Sequence, residues 1–156
     1  MPLFNNFSPA DLKIRRQENK EYVFDRLRKQ YVRLTPEEWV RQHFVHYLIE
    51  QKHYPEGLLA NEVCIALGPV NRRCDTVLYN TLLQPQMIIE YKAPSVSLSQ
   101  KTFDQIIRYH YCLKAPWLIV SNGLQHYCCR INEQGEAVFV QEVPEWSELG
   151  IILESK

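Results

Sequence analysis

From Trp39 onward the largely apolar positions Val40, His43, Phe44, Tyr47 and Leu48 recur at the three- and four-residue spacing of one helix face. The stretch before them, Thr35-Pro36-Glu37-Glu38, is a helix start: a hydroxyl to cap, proline at the first helical position, and a glutamate three residues after the cap. This helix is expected to run to about Lys52, with Pro55 and Gly57 stopping it. The pattern then shortens to strand periods. Residues 59–67 form the first strand, closed by the Gly68-Pro69 turn; residues 75–79 alternate and form the second; residues 80–85 are a turn. Residues 87–91 are nearly all apolar, as in a central strand buried on both faces, and Pro94 ends it.

Ser99 caps a second helix expected to reach about Leu113. Residues 115–121 give another buried strand closed by Asn122-Gly123, residues 126–131 a fifth, and residues 137–141 an edge strand after Gly135. The helix between the third and fourth strands implies a parallel, right-handed crossover, whereas the tight turns before it imply an antiparallel meander. The fold class is therefore a mixed α/β sandwich, ordered helix, three strands, helix, two strands. Upstream, residues 13–16 and 21–24 pair as a short hairpin around 17–20, and Asp25 caps a short helix ending near Val32. Residues 1–34 thus read as an extension packed on a domain of residues 35–156.

A chain of 156 residues is the size of one domain and can bury a core without staples. Its apolar runs, such as 118–120, are too short to span a bilayer, and residues 1–6 lack the blocks of a signal peptide, so a cytoplasmic protein without a membrane partner is expected. Five cysteines without a Cys-x-x-Cys pair exclude a zinc ribbon or redox motif and suit reduced, mostly buried thiols. A zero net charge hides an asymmetry: residues 11–33 carry a local +4 and residues 133–156 a local −5. A basic patch of that kind meets phosphate as readily as it forms a solvated surface. There is no phosphate-binding Gly-x-x-x-x-Gly-Lys loop, hence no ATP-driven motor and no small-molecule cofactor in this reading.

The chemistry concentrates in Ile88-Ile89-Glu90-Tyr91-Lys92-Ala93-Pro94. In a strand Glu90 and Lys92 point to one side, roughly 6.6 Å apart. A carboxylate and an ammonium on an otherwise apolar strand need a partner to offset desolvation; each other is one, and Asp75 on the neighbouring strand offers another. Two carboxylates converging from adjacent strands can hold a divalent cation such as Mg²⁺, with Lys92 beside it to hold a water or stabilise charge on a phosphate.

The ordered series Asp75, then Glu90-x-Lys92, resembles the PD-(D/E)XK nuclease superfamily. More narrowly, the stretches 34–42, Arg73-Cys74-Asp75, 89–94, 105–109 and Val120-Ser121-Asn122-Gly123 resemble the N-terminal nuclease domain of type I restriction enzyme R subunits. The resemblance implies a restriction-endonuclease-like core (α-β-β-β-α-β) that hydrolyses DNA phosphodiesters with Mg²⁺ or Mn²⁺. It makes Asp75 and Glu90 metal ligands, the Tyr91 carbonyl a third, and Lys92 the catalytic lysine. Cys74, where the motif often has proline, departs from it. Gln105 and Tyr109 match a Gln-x-x-x-Tyr pair on one helix face that reaches toward a nucleotide or serves as a hydrogen-bonded border pair. Glu38 and Glu62 are further candidate metal ligands, Glu38 having a capping-box role that suffices by itself and Glu62 being readable as solvent-exposed. Arg72 and Arg73 either position DNA phosphate or decorate a turn. DNA is the implied partner, with helicase or specificity and methylation subunits alongside it. Two other functions stay open: a catalytically silent nucleic-acid-binding or protein-interaction module on the same fold, and a repair or junction nuclease of the same superfamily.

Overall fold

The computed structural model describes residues 11–149. Its first sheet is three-stranded, β1 (Ile14–Gln17), β2 (Lys20–Asp25) and β3 (Gln30–Arg33), all antiparallel. The expected hairpin is present: Arg16 faces Glu21 and Ile14 faces Val23, across a turn at Glu18 and Asn19. The expected helix at 25–32 is not. Asp25 does cap, its Oδ1 accepting the Leu27 and Arg28 N–H groups at 2.7 and 3.0 Å, but only one turn follows. Lys29, at a positive φ of 54°, reverses the chain, and Tyr31 and Val32 pair with Phe24 and Val23. Here β-favouring side chains with a ready ladder outcompete a helix of one turn, which is too short to repay its nucleation.

Helix α1 (Pro36–Glu50) is capped by Thr35 as expected, its hydroxyl accepting the Glu38 N–H at 3.1 Å, but the Glu38 carboxylate turns to Arg28, Arg41 and Gln42 instead of closing a capping box, and the helix ends two residues before Lys52. The second sheet is six-stranded in chain order: β4 (Leu59–Leu67), β5 (Val70–Tyr79), β6 (Pro85–Tyr91), β7 (Trp117–Ser121), β8 (His126–Ile131) and β9 (Ala137–Val140). Strands β4 to β6 are an antiparallel meander, and β6 pairs with β7 in parallel across helix α2 (Gln100–His110). The second strand begins at Val70 rather than Asp75, because the tight turn at Gly68 lets the whole hairpin pair. Helix α2 stops at His110 and tightens into a 3₁₀ turn before Lys114 enters the left-handed region.

Two apolar layers sandwich the large sheet. In one, Val40, Phe44 and Leu48 of α1 pack with Leu78, Met87, Ile89 and Ile119; in the other, Phe103 and Leu113 pack with Val77, Ile88, Leu118 and Val120. Ile88 and Ile89 are at most 1% exposed, so β6 is buried on both faces. Among the described residues no helix is long and apolar enough to cross a membrane.

Strand β4 is irregular at one point. Glu62, in its interior, has φ 56°, and the register passes from the pair Asn61–Thr76 to the pair Val63–Cys74 around it. Asn61 and Thr76 bond to each other on the α1 side, where the Tyr91 hydroxyl joins them, yet Val63 and Cys74 belong to the α2 layer. A left-handed residue interrupts the strict alternation of a strand, so the sheet switches faces at Glu62 and at Asp75 opposite it.

Candidate active site

The face switch puts Asp75, on β5, beside Glu90, on β6. Asp75 Oδ2 accepts the Tyr91 N–H at 2.9 Å, and the two carboxyls lie within hydrogen-bonding reach of each other. Lys92 follows at the end of β6, where its N–H donates to the Ser121 carbonyl at 2.8 Å and fixes the chain as it leaves the sheet. Asp75, Glu90, Tyr91 and Lys92 line one open cleft of about 400 Å³ together with Arg41 and Glu62. Glu62 is thus half-buried rather than solvent-exposed.

Burial first, and then the neighbouring Glu90 charge, push the Asp75 carboxyl up to about 7. Burial raises Glu90 as well, while Asp75, Lys92 and Arg41 work the other way. Two buried carboxyls this close resist carrying two negative charges at once, and a divalent cation between them relieves that repulsion. The donor set suits a hard ion: carboxylate oxygens from two rigid strands and an open side for water. Asp75 and Glu90 would hold such an ion.

Behind the carboxyls stands Arg41 of α1, which is 7% exposed. Its guanidinium donates to the Asp75 carbonyl at 2.7 Å, to Glu62 Oε1 at 2.7 Å, and to Glu38 at 2.9 and 3.1 Å. Burial opposes its charge, but the Glu38 and Glu62 carboxylates outweigh that, and Arg41 is held above its ordinary value. Arg41 therefore satisfies the Asp75 backbone at the point where the strand loses its regular alternation. Glu38 is buried beneath it, taking further bonds from Arg28 at 2.8 Å and Gln42 at 2.9 Å. With its oxygens engaged by three side chains, and absent from the cleft lining, Glu38 is placed to hold Arg41. Glu62 does face the cleft, bound by Arg41 on one oxygen and by Arg73 on the other at 2.5 and 2.8 Å; these bonds lower it despite partial burial.

Gln105 is exposed on α2 and does not line the cleft. Tyr109, also exposed, accepts Arg72 Nε on its carbonyl at 2.5 Å and carries the guanidinium over its ring at 4.6 Å. Arg73 reaches the cleft only through Glu62. The structure therefore brings Asp75, Glu90, Tyr91, Lys92 and Glu62 together, pairs Arg72 with Tyr109 at α2, and leaves Gln105 exposed on that helix away from the cleft.

Sequence reasoning missed Arg41, although it had a signal, a Glu38-x-x-Arg41-Gln42 cluster at helical spacing on a face that must be buried.

The fold is that of a nuclease-like α/β domain. The chain belongs to the family described as type I restriction enzyme R protein N terminus, whose model matches residues 36–144. No curated protein is significantly similar to it. Among solved structures, a cryo-EM DrdV–DNA complex aligns with 76% of this chain at 18% identity and a TM-score of 0.46. The chain spans only 11% of that neighbour.

Proposed function

We propose that this domain is a Mg²⁺-dependent endonuclease that hydrolyses DNA phosphodiester bonds. The observation that carries the reading is the convergence of Asp75, Glu90 and Lys92 on one cleft, with the two carboxyls close enough to share a proton. A bound divalent cation would supply positive charge to the scissile phosphate and lower the pKa of an attacking water. Asp75 and Glu90 offer their carboxylates for it from two paired strands of one sheet. Arg41 fixes the Asp75 backbone and leaves its carboxylate free to face the cleft. Lys92 presents an ammonium to the phosphate oxygen on which charge develops, or to the water that attacks it. Membership of the R-protein family supports DNA as substrate and a motor on another part of the assembly. The exposed Arg15, Arg16 and Lys20 of the small sheet are available for backbone phosphate.

The test is nicking of supercoiled plasmid and of single-stranded DNA in Mg²⁺ or Mn²⁺. Asp75→Ala and Lys92→Ala should each reduce the rate by on the order of 10²-fold or more, the range seen when one transition-state stabilising group is removed. Cleavage that persists in Lys92→Ala sinks the assigned mechanism. A wild-type protein that neither nicks any DNA nor binds Mg²⁺ by calorimetry would instead make the domain a binding or interaction module.

A further inference from the structure

Behind the cleft, on the α2 side of the sheet, three ligand-bearing side chains meet that the proposed hydrolysis does not use together. Cys74 of β5, Glu90 of β6 and His110 at the end of α2 bring one ligand atom each to within 4.8 Å of one another. Cys74 is fully buried and His110 is 4% exposed. They come from three different elements, so the cluster is a product of the tertiary fold and not of local sequence.

Its hydrogen bonding is incomplete. His110 Nε2 lies 2.7 Å from Glu90 Oε1, close enough for an ion pair, yet Oε1 is buried and receives no aligned hydrogen bond among the described residues. The Cys74 sulfur is 3.9 Å from His110 Nδ1, a weak contact. Buried polar atoms without partners are uncommon, and each calls for a reason. A carboxylate oxygen, an imidazole nitrogen and a thiol sulfur within 4.8 Å of one another in an apolar layer are three ligands that a turn of the imidazole ring and a slight parting of its nitrogen from the Glu90 oxygen would set around one ion.

We propose that Cys74, Glu90 and His110 form a second divalent-metal site, one that takes a thiolate-preferring transition ion such as Zn²⁺ or Co²⁺. Sulfur and imidazole select borderline ions over Mg²⁺, whereas the Asp75 side of Glu90, all oxygen, selects the hard ion. Binding forms an S–metal bond as the S–H bond breaks, and the proton leaves to solvent. A cation in contact with the sulfur favours the thiolate over the thiol and so drives the deprotonation. Glu90 is common to both sites, so an ion held by Cys74 and His110 competes for a ligand of the cleft. The existence of the site does not rest on the nuclease reading; only the consequence for Mg²⁺ does.

The experiment is titration of the reduced protein with Co²⁺, followed by absorption. The wild type should develop a thiolate-to-cobalt charge-transfer band saturating at one ion per chain. Cys74→Ser should lose the band and His110→Gln should weaken binding at least tenfold, while Asp75→Asn keeps the band. Circular dichroism verifies that each variant is folded, and the histidine variant keeps the idea testable if the serine variant is not. No band in the wild type overturns the site, as does a band that survives in Cys74→Ser. In a second measurement Zn²⁺ bound beforehand should weaken Mg²⁺ binding by at least tenfold in calorimetry. Cobalt binding with unchanged Mg²⁺ affinity would overturn the sharing of Glu90 while leaving the sulfur site in place, and neither outcome depends on whether DNA is cut.

Discussion

The two layers that flank the large sheet both bury charge, and they treat it in opposite ways. On the α1 side Glu38, Arg41 and Gln42 are at most 7% exposed, and their polar atoms are joined to each other, to Arg28, to Glu62 and to the Asp75 carbonyl. On the α2 side Cys74 and His110 are as deep and Glu90 reaches them from the cleft, but the three meet through one close, unaligned contact and one long one. Both layers contain apolar clusters of similar make-up, so the difference is not one of core quality. A fully bonded buried network rigidifies what it touches, whereas a partly bonded one leaves polar atoms able to take a further partner. The first kind is suited to holding a strand in an unusual conformation; the second is suited to a ligand.

Removing a member of each group gives the widest contrast. Arg41→Ala leaves Glu38 buried with one cation fewer, strips Glu62 of a partner and orphans the Asp75 carbonyl. Breaking a buried ion pair in this way costs about 3–5 kcal/mol. His110→Gln removes no well-formed bond, and its cost should stay near about 1 kcal/mol, the ordinary figure for a point substitution. Urea unfolding measures both. Equal losses would show that the α2 cluster is as structural as the α1 network.

Acid sharpens the contrast from another side. His126 of β8, fully buried against Phe44 and bonded through Nδ1 to the Ser121 hydroxyl at 2.5 Å, is lowered to about 4 by burial. Unfolded, it titrates at its ordinary 6.5. Between those two values the unfolded chain binds the extra proton, so stability falls as pH drops from 6.5 toward 4. The full effect is on the order of 3 kcal/mol for one such histidine. The unfolding free energy followed from about pH 7 to about pH 4 should fall less steeply in His126→Gln, with His110, also lowered to about 4, keeping part of the slope. A slope unchanged by that substitution would mean that other groups dominate the acid response.

The order of elements is legible in sequence because it rests on local signals that agree: the Thr35-Pro36 start, the Gly68 and Asn122-Gly123 turns, and the doubly apolar strand at 87–91. Asp75, Glu90 and Lys92 are legible for a related reason, since charge on a buried strand is conspicuous. What sequence hides is set by pairing across distance. The segment 25–32 resembles a capped helix because Asp25 does cap; β3 forms only because β2 is already there to pair with it. Glu62 reads as an outward strand residue as long as alternation holds, and its positive φ breaks that alternation. Arg41 reads as one more charge on an amphipathic helix, although the buried face of α1 is wider than an apolar stripe and includes it.

The helix caps offer the finest test, because they are chemically alike and differ only in what lies beneath. Thr35 accepts the Glu38 N–H at 3.1 Å and Ser99 accepts the Thr102 N–H at 3.1 Å. Replacing either by alanine removes one capping bond, worth about 1 kcal/mol. In α1 the first turn includes the buried Glu38 and leads straight into Val40 and Arg41, so the turn cannot fray without opening the ionic network; the loss should appear in global unfolding. In α2 only Phe103 and His110 are buried, and residues 100–102 lie at the surface or only partly covered. There the loss should appear as local opening, with faster amide exchange at 102–104 and a smaller shift of the urea midpoint. Ser99→Ala lowering the midpoint as much as Thr35→Ala would mean that the α2 layer is bound to the sheet as tightly as the α1 layer, leaving it less room to rearrange around an ion.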